Sequence, residues 1–247
     1  MRNLIKLILS VGILSTLSVN EPAYSQKINL KRLSKKIETS FNTNNLSMLN
    51  DHIEQEIALD IEKKYLLFLK EFPNARWDIS PAKELKGNKK SIELLITAKK
   101  KVGKQIYSLK TNQKLALDIK NGKIVSRELL SEHSILSTAK RPIDITLQIP
   151  DVVLTGSWYD VDIIINKPLK NSIIAGGLMP LKETNHTNLL KETIQLRPMG
   201  SGGIFKSVQA PLNPGEQRWA AIIAHPEGVV SITKLVKIVS TKEDFSF

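Results

Sequence analysis

The densest set of potential ligands in this 247-residue chain is Asp51, His52, Glu54 and Glu56. On one continuous helix His52 and Glu56 would stand a turn apart and could share a metal ion. A metal site needs a third ligand and an outer layer of partners, and no other histidine lies nearby in sequence. The set therefore reads as a solvated polar face opening a helix, where acids also complement the helix dipole. Gly200-Ser201-Gly202-Gly203 has the residue types of a serine nucleophile turn, but the strand-turn-helix setting is missing and no Asp and His rank as its partners. A glycine-rich hairpin turn is the simpler reading, and His225 before Pro226 likewise reads as a turn residue. No Walker loop, dinucleotide fingerprint or paired-cysteine motif occurs. The expectation is no catalytic set, no metal and no cofactor.

Charge supplies a different kind of candidate. The formal net charge is +12, and its excess has an address: between Lys83 and Arg127 there are thirteen Lys or Arg against Glu84, Glu93 and Asp118. Clustered charge raises the local concentration of the opposite sign, so Lys99, Lys100, Lys101 and Lys104 are candidates for a face meeting anionic lipid, an acidic envelope polymer or an acidic protein. The bland reading is compositional, because Lys outnumbers Arg 29 to 7. Nucleic acid is not expected as a partner: no aromatic-rich basic strand accompanies the charge.

The start of the chain argues for export, which also separates it from nucleic acid. Arg2 and Lys6 precede an apolar run, Leu7 to Val19, and Ala23-Tyr24-Ser25 offers small residues where a signal peptidase reads. The run falls short of the roughly 20 residues that cross a bilayer as a helix, and Glu21-Pro22 ends it. Residues 1–25 are expected to be a cleaved signal peptide. That leaves an exported, periplasmic or secreted protein with no permanent membrane anchor. With no cysteine in the chain, its stability must come from packed cores. The mature length suits two domains of roughly 100 residues.

The elements that must position any site follow from periodicity. Leu30, Leu33, Ile37 and Phe41 recur every three or four residues and predict a first helix over 28–41. Asn42-Thr43-Asn44-Asn45 interrupts it, and a second helix is expected from Leu46 to Phe72, its apolar face widened by Leu66, Leu67 and Leu69 and closed by Pro73. Period-two strands are then expected at 76–79, 91–102, 105–119 and 123–136, with Gly87-Asn88, Gly103-Lys104 and Asn121-Gly122 as joints. The last pair is the signature of a primed hairpin turn. Two helices packed on a curved antiparallel meander resemble the nuclear transport factor 2-like fold, related to cystatin-like sheets, over residues 28–137.

That resemblance implies an α+β cone. Members with isomerase chemistry set a carboxylate base opposite a tyrosine and a neutral acid inside it. Tyr65, Asp78 and Tyr107 have suitable types, but their spacing does not map onto that trio. Tyr65 and Trp77 are the candidate ligand-binding residues, with Trp77 lining a cone's mouth or packing in its core.

A second domain is expected from residue 139 to 247. Short apolar segments at 143–149, 158–165, 172–179, 189–196, 204–210, 218–224 and 229–239 are separated by turn signals, as in an all-β sandwich. Alternation puts Tyr159, Val161 and Ile163 inward and Asp160 and Asp162 outward. Trp158 and Trp219 are expected in the core or at its rim. The closing pair around His225-Pro226-Glu227-Gly228 resembles the last two strands of immunoglobulin-like or fibronectin-like domains. The function expected is a non-enzymatic binding or interaction protein of the cell envelope, its partner an envelope protein or an anionic surface. The alternative is a small-molecule binder or isomerase-type enzyme using the first domain's concavity.

Overall fold

The computed structural model describes residues 29–86, 89–139, 143–166, 174–181, 194–199 and 202–245. The expected signal peptide, the Gly87-Asn88 joint, Gly200-Ser201 and most of the expected strand 189–196 lie outside these residues. Two helices lead into strands that pair almost wholly antiparallel, an α+β arrangement followed by a β-rich one. The chain forms two compact units: residues 29–100 with 110–132, and residues 101–109 with 133–245.

The first unit opens with α1, Leu30–Asn42, capped by the Asn29 side chain, which accepts from the Arg32 backbone N–H at 3.0 Å. Leu33, Ile37 and Phe41 form its buried face. The second expected helix is divided. Leu46–Leu49 makes one 3-10 turn, and α2 begins only at Gln55 and runs to Glu71. The reason is a tertiary competitor for the backbone: the Ile124 N–H donates to the His52 carbonyl at 2.8 Å, and the Glu54 N–H donates to the Ile124 carbonyl at 3.0 Å. Those groups are satisfied by a strand, so a helix cannot run through them. Ile61, Tyr65 and Phe68 form the buried face of α2, while Leu59, Leu66 and Leu67 are exposed, so the widened apolar face is only partly used.

Four strands follow, β1 (Arg76–Pro81), β2 (Lys90–Val102), β3 (Gln105–Lys120) and β4 (Lys123–Ser137), in that spatial order, of which residues 101–109 and 133–137 are counted with the second unit. β1 pairs β2 with Trp77 opposite Ile96. At the β3–β4 turn, Asn121 and Gly122 have φ of 50° and 83°, as a two-residue primed turn requires, and the expected hairpin forms there. Inward positions on β2 are Ile92, Leu94, Ile96 and Ala98, a clean period of two. On β4 the buried phase changes between the neighbours Leu129 and Leu130.

The second unit is built around a long hairpin, β13 (Gly215–His225) and β14 (Gly228–Val239). β13 pairs on its other side with β9 (Ile174–Leu181), which pairs β10 (Arg197–Met199). The free side of β14 takes the end of β4, Val230 lying opposite Ser137, and then, in parallel, β6 (Val152–Leu154). Paired along both edges, β14 is buried along almost its whole length, its polar Ser231, Thr233, Lys234 and Lys237 included. At the turn, Gly228 has φ 148°, and a Cβ there would stand 2.6 Å from the Ala139 Cα, so no side chain fits.

Shorter strands complete the unit. β5 (Ile145–Gln148) pairs β8 (Asp162–Ile165), which pairs β11 (Gly203–Ile204), while β7 (Trp158–Asp160) pairs β12 (Ser207–Gln209). Tyr159, Val161, Ile163, Trp219, Ala221, Ile223, Ile232 and Val236 belong to one apolar cluster, drawn from the long hairpin and from the short strands. The inward set Tyr159, Val161 and Ile163 is buried as alternation requires. The expected strands 158–165 and 204–210 are each divided in two. The division sits where Val161 and Lys206 meet, the Val161 N–H donating to the Lys206 carbonyl at 2.8 Å.

Candidate functional site

Tyr65 and Trp77 come together. α1 supplies Phe41, α2 supplies Tyr65 and Phe68, Phe72 follows the helix, and β1 brings Trp77. The Phe41 and Tyr65 rings stack with centroids 5.2 Å apart, and Trp77 lies 4.7 Å from Phe41 and 6.0 Å from Tyr65. Tyr65 is 1% exposed and Trp77 2%. The Tyr65 hydroxyl donates to the Phe41 carbonyl at 2.6 Å, and burial pushes its pKa upward. Asn42 clamps the Trp77 backbone from both sides, donating to its carbonyl at 2.7 Å and accepting from its N–H at 2.9 Å. The indole N–H is buried and has no partner among the described residues. Chemically this is an interior whose polar handles are mostly spent on holding α1 to β1 and α2.

Other polar groups of the first unit also serve packing. The Arg127 guanidinium is buried and donates to Asp60 and, at 3.4 Å, to the Ile57 carbonyl, fastening β4 to α2. Burial pulls its pKa down while Asp60 pushes it up. The buried Gln113 amide donates to the Glu132 carboxylate at 2.6 Å. Glu38 accepts from the Ile79 N–H at 3.2 Å, and its hydrogen bond from Lys35 holds its carboxyl below the usual range.

His52 is not on a helix with Glu56. It stands in the turn before α2, so the one-turn relation expected of these two does not exist. The Lys36 ammonium lies 2.6 Å from its Nε2, an arrangement that needs a neutral imidazole as acceptor. Burial, first, and the Lys36 charge, second, lower the His52 pKa. Among the described residues no three His, Asp or Glu side chains cluster as metal ligands do.

In the second unit, Trp219 is buried and donates from its indole N–H to the Tyr159 hydroxyl at 2.9 Å. That hydroxyl in turn donates to Gln217. Lys206 sits over the Trp219 ring at 5.5 Å. Trp158, by contrast, is 68% exposed at the start of β7. His225 accepts from the Glu227 N–H at 2.8 Å, a turn contact.

The basic segment is arranged differently. Lys99, Lys101 and Lys104 are exposed and make no ion pair among the described residues. Lys100, on the opposite face of β2, is half-buried and pairs with Glu71 at the end of α2, 2.8 Å away. Three of the four expected lysines are thus available and one is engaged in packing. Every residue from Lys101 to Ile106 is exposed, around the Gly103-Lys104 turn. Val102 and Ile106 are 50% and 55% exposed there. No acidic residue occurs between Glu93 and Asp118, a stretch holding six lysines. The acid-free stretch is readable in sequence; that Val102 and Ile106 escape burial is not, because period-two patterning assigns apolar strand residues to a core.

No helix among the described residues is long and apolar enough to cross a membrane. No curated protein matches the chain. A family model described as a domain of unknown function, DUF8623, matches residues 140–239, the stretch that carries β5 to β14.

Proposed function

We propose that this is an exported, non-enzymatic binding or interaction protein of the cell envelope that meets an anionic partner through its basic hairpin. Its parts are a nuclear transport factor 2-like domain over 26–138 and an immunoglobulin-like sandwich over 139–247. The observation that carries the reading is the hairpin end: Lys99, Lys101 and Lys104 are exposed and without ion pairs, beside exposed apolar residues. Charges that stabilise a fold are paired or packed, as Arg127 is with Asp60. Charges held outward without partners act on what approaches.

Further observations support the parts. Two helices followed by a four-strand antiparallel meander give the element order of the first fold. Short antiparallel strands sharing one core with a closing hairpin fit the second, and the family match begins one residue from the proposed boundary. The mutual packing of Tyr65 and Trp77 favours interaction over the small-molecule alternative, because both rings are occupied by neighbours.

The test is envelope association of the natively expressed protein carrying Lys99→Glu, Lys101→Glu and Lys104→Glu together. Association at low salt should fall by about tenfold or more and, in the unaltered protein, should weaken with added salt. Unchanged association at low salt would overturn the reading.

A further inference from the structure

We infer that the β2–β3 hairpin end, Lys101–Ile106, is a membrane-surface element: Lys101 and Lys104 meet anionic lipid headgroups while Val102 and Ile106 enter the boundary of the acyl chains. The inference rests on the interaction reading above and names its partner. Four side chains carry it. Lys101 and Lys104 are exposed and have no ion-pair partner among the described residues, one preceding the Gly103-Lys104 turn and one within it. Val102 and Ile106, one on each strand, are at least half exposed at the same end.

A soluble polyanion would use the lysines alone and would leave two β-branched side chains in water. A lipid surface uses both kinds of group, because its charged plane lies directly above an apolar layer. Lysine stems can also bury their methylenes while the ammonium stays at headgroup level. The acid-free stretch from Leu94 to Leu117 removes the like-charge repulsion that an anionic surface would otherwise impose. The hairpin end needs no refolding to engage: its turn is tight, and backbone pairing along β2 and β3 already fixes the strands behind it. Such an element gives weak, reversible association, since neither a spanning helix nor a lipid chain is involved.

The experiment is co-sedimentation of the protein, as recovered from its own cells, with vesicles of phosphatidylcholine alone and of phosphatidylcholine mixed with phosphatidylglycerol. Binding is expected to the mixed vesicles only. Replacing Lys101→Ser with Lys104→Ser should weaken it about thirty-fold, and Val102→Ser with Ile106→Ser about tenfold. Ile106→Trp supplies an independent readout, its added emission shifting to the blue when mixed vesicles are present. Thermal unfolding of each variant should match the unaltered protein, since all four side chains are exposed. The inference is overturned if the Val102→Ser, Ile106→Ser protein binds mixed vesicles as well as the unaltered one. It is also overturned, in favour of a soluble polyanion, if dextran sulfate binds both proteins equally and vesicles bind neither. If vesicles fail while the triple lysine-to-glutamate variant still loses envelope association, the interaction reading stands and the lipid partner falls. If envelope association is also unaffected, both fall.

Discussion

The aromatic cluster of the first unit and the hairpin end at Lys101–Ile106 hold residues of equal chemical promise and opposite circumstance. Tyr65 and Trp77 are types that bind ligands elsewhere, yet here both rings are buried against Phe41, the Tyr65 hydroxyl is spent on the Phe41 carbonyl, and the Trp77 backbone is clamped by Asn42. Lys101 and Lys104 are ordinary surface residues by type, yet they stand unpaired beside apolar side chains that also lack cover. The difference teaches that availability, more than residue type, separates a structural group from a functional one. A hydroxyl already donating at 2.6 Å has less left to give a ligand; an unpaired ammonium has everything left.

This contrast can be broken most directly at Trp77. Trp77→Ala should cost about 3–5 kcal/mol, measured by urea unfolding, because it removes the ring that contacts Phe41, Tyr65 and Phe68. A loss under about 1 kcal/mol would mean that the cluster is not a packed core. Asp60→Asn comes next, at about 2–3 kcal/mol, since it leaves the buried Arg127 guanidinium without its carboxylate. The double variant Asp60→Asn, Arg127→Met should recover part of that loss; no recovery would show that the pair does not act as a unit.

Smaller effects sharpen the comparison. Gly122→Ala places a Cβ at φ 83° in the β3–β4 turn and should lower stability by about 1 kcal/mol, read from the thermal midpoint. His52 makes a pH prediction. Its folded pKa lies below the ordinary histidine value of 6.5, so the unfolded chain binds the extra proton first on acidification. The stability it contributes is complete above about pH 6.5 and is lost as pH falls toward its folded value. His52→Gln should flatten the stability profile in that window, and an unchanged slope would detach His52 from it. Smallest of all, Lys101→Ser with Lys104→Ser should move stability by less than about 0.5 kcal/mol. A larger loss would place these lysines with Arg127 among the structural charges.

Much of the fold was legible because local patterns were allowed to decide it. The meander strands 90–102, 105–120 and 123–137 fall within a residue of the spans expected from period-two alternation and from the Asn121-Gly122 turn. Sequence reasoning ran out where a distant segment intervened. Residues 46–54 have a helical pattern, but Ile124 takes the backbone of His52 and Glu54, and α2 starts late. β6 was not expected at all: Val152–Leu154 is too short to show alternation and forms because β14 offers it an open edge. The candidate site was half legible. Its lysines were visible as a charge excess, while the engagement of Lys100 by Glu71 and the exposure of Val102 and Ile106 were not.

By itself, then, the amino-acid sequence determined the first helix, the order of the meander strands, the Asn121-Gly122 turn and the position of the charge excess. These depend on side-chain period, on φ preferences and on composition, all local properties. Only tertiary structure decided which aromatic rings were consumed by one another, which lysine of four was paired, and which apolar side chains were left in water. Those outcomes depend on neighbours far along the chain, and burial is a property of the neighbours as much as of the residue.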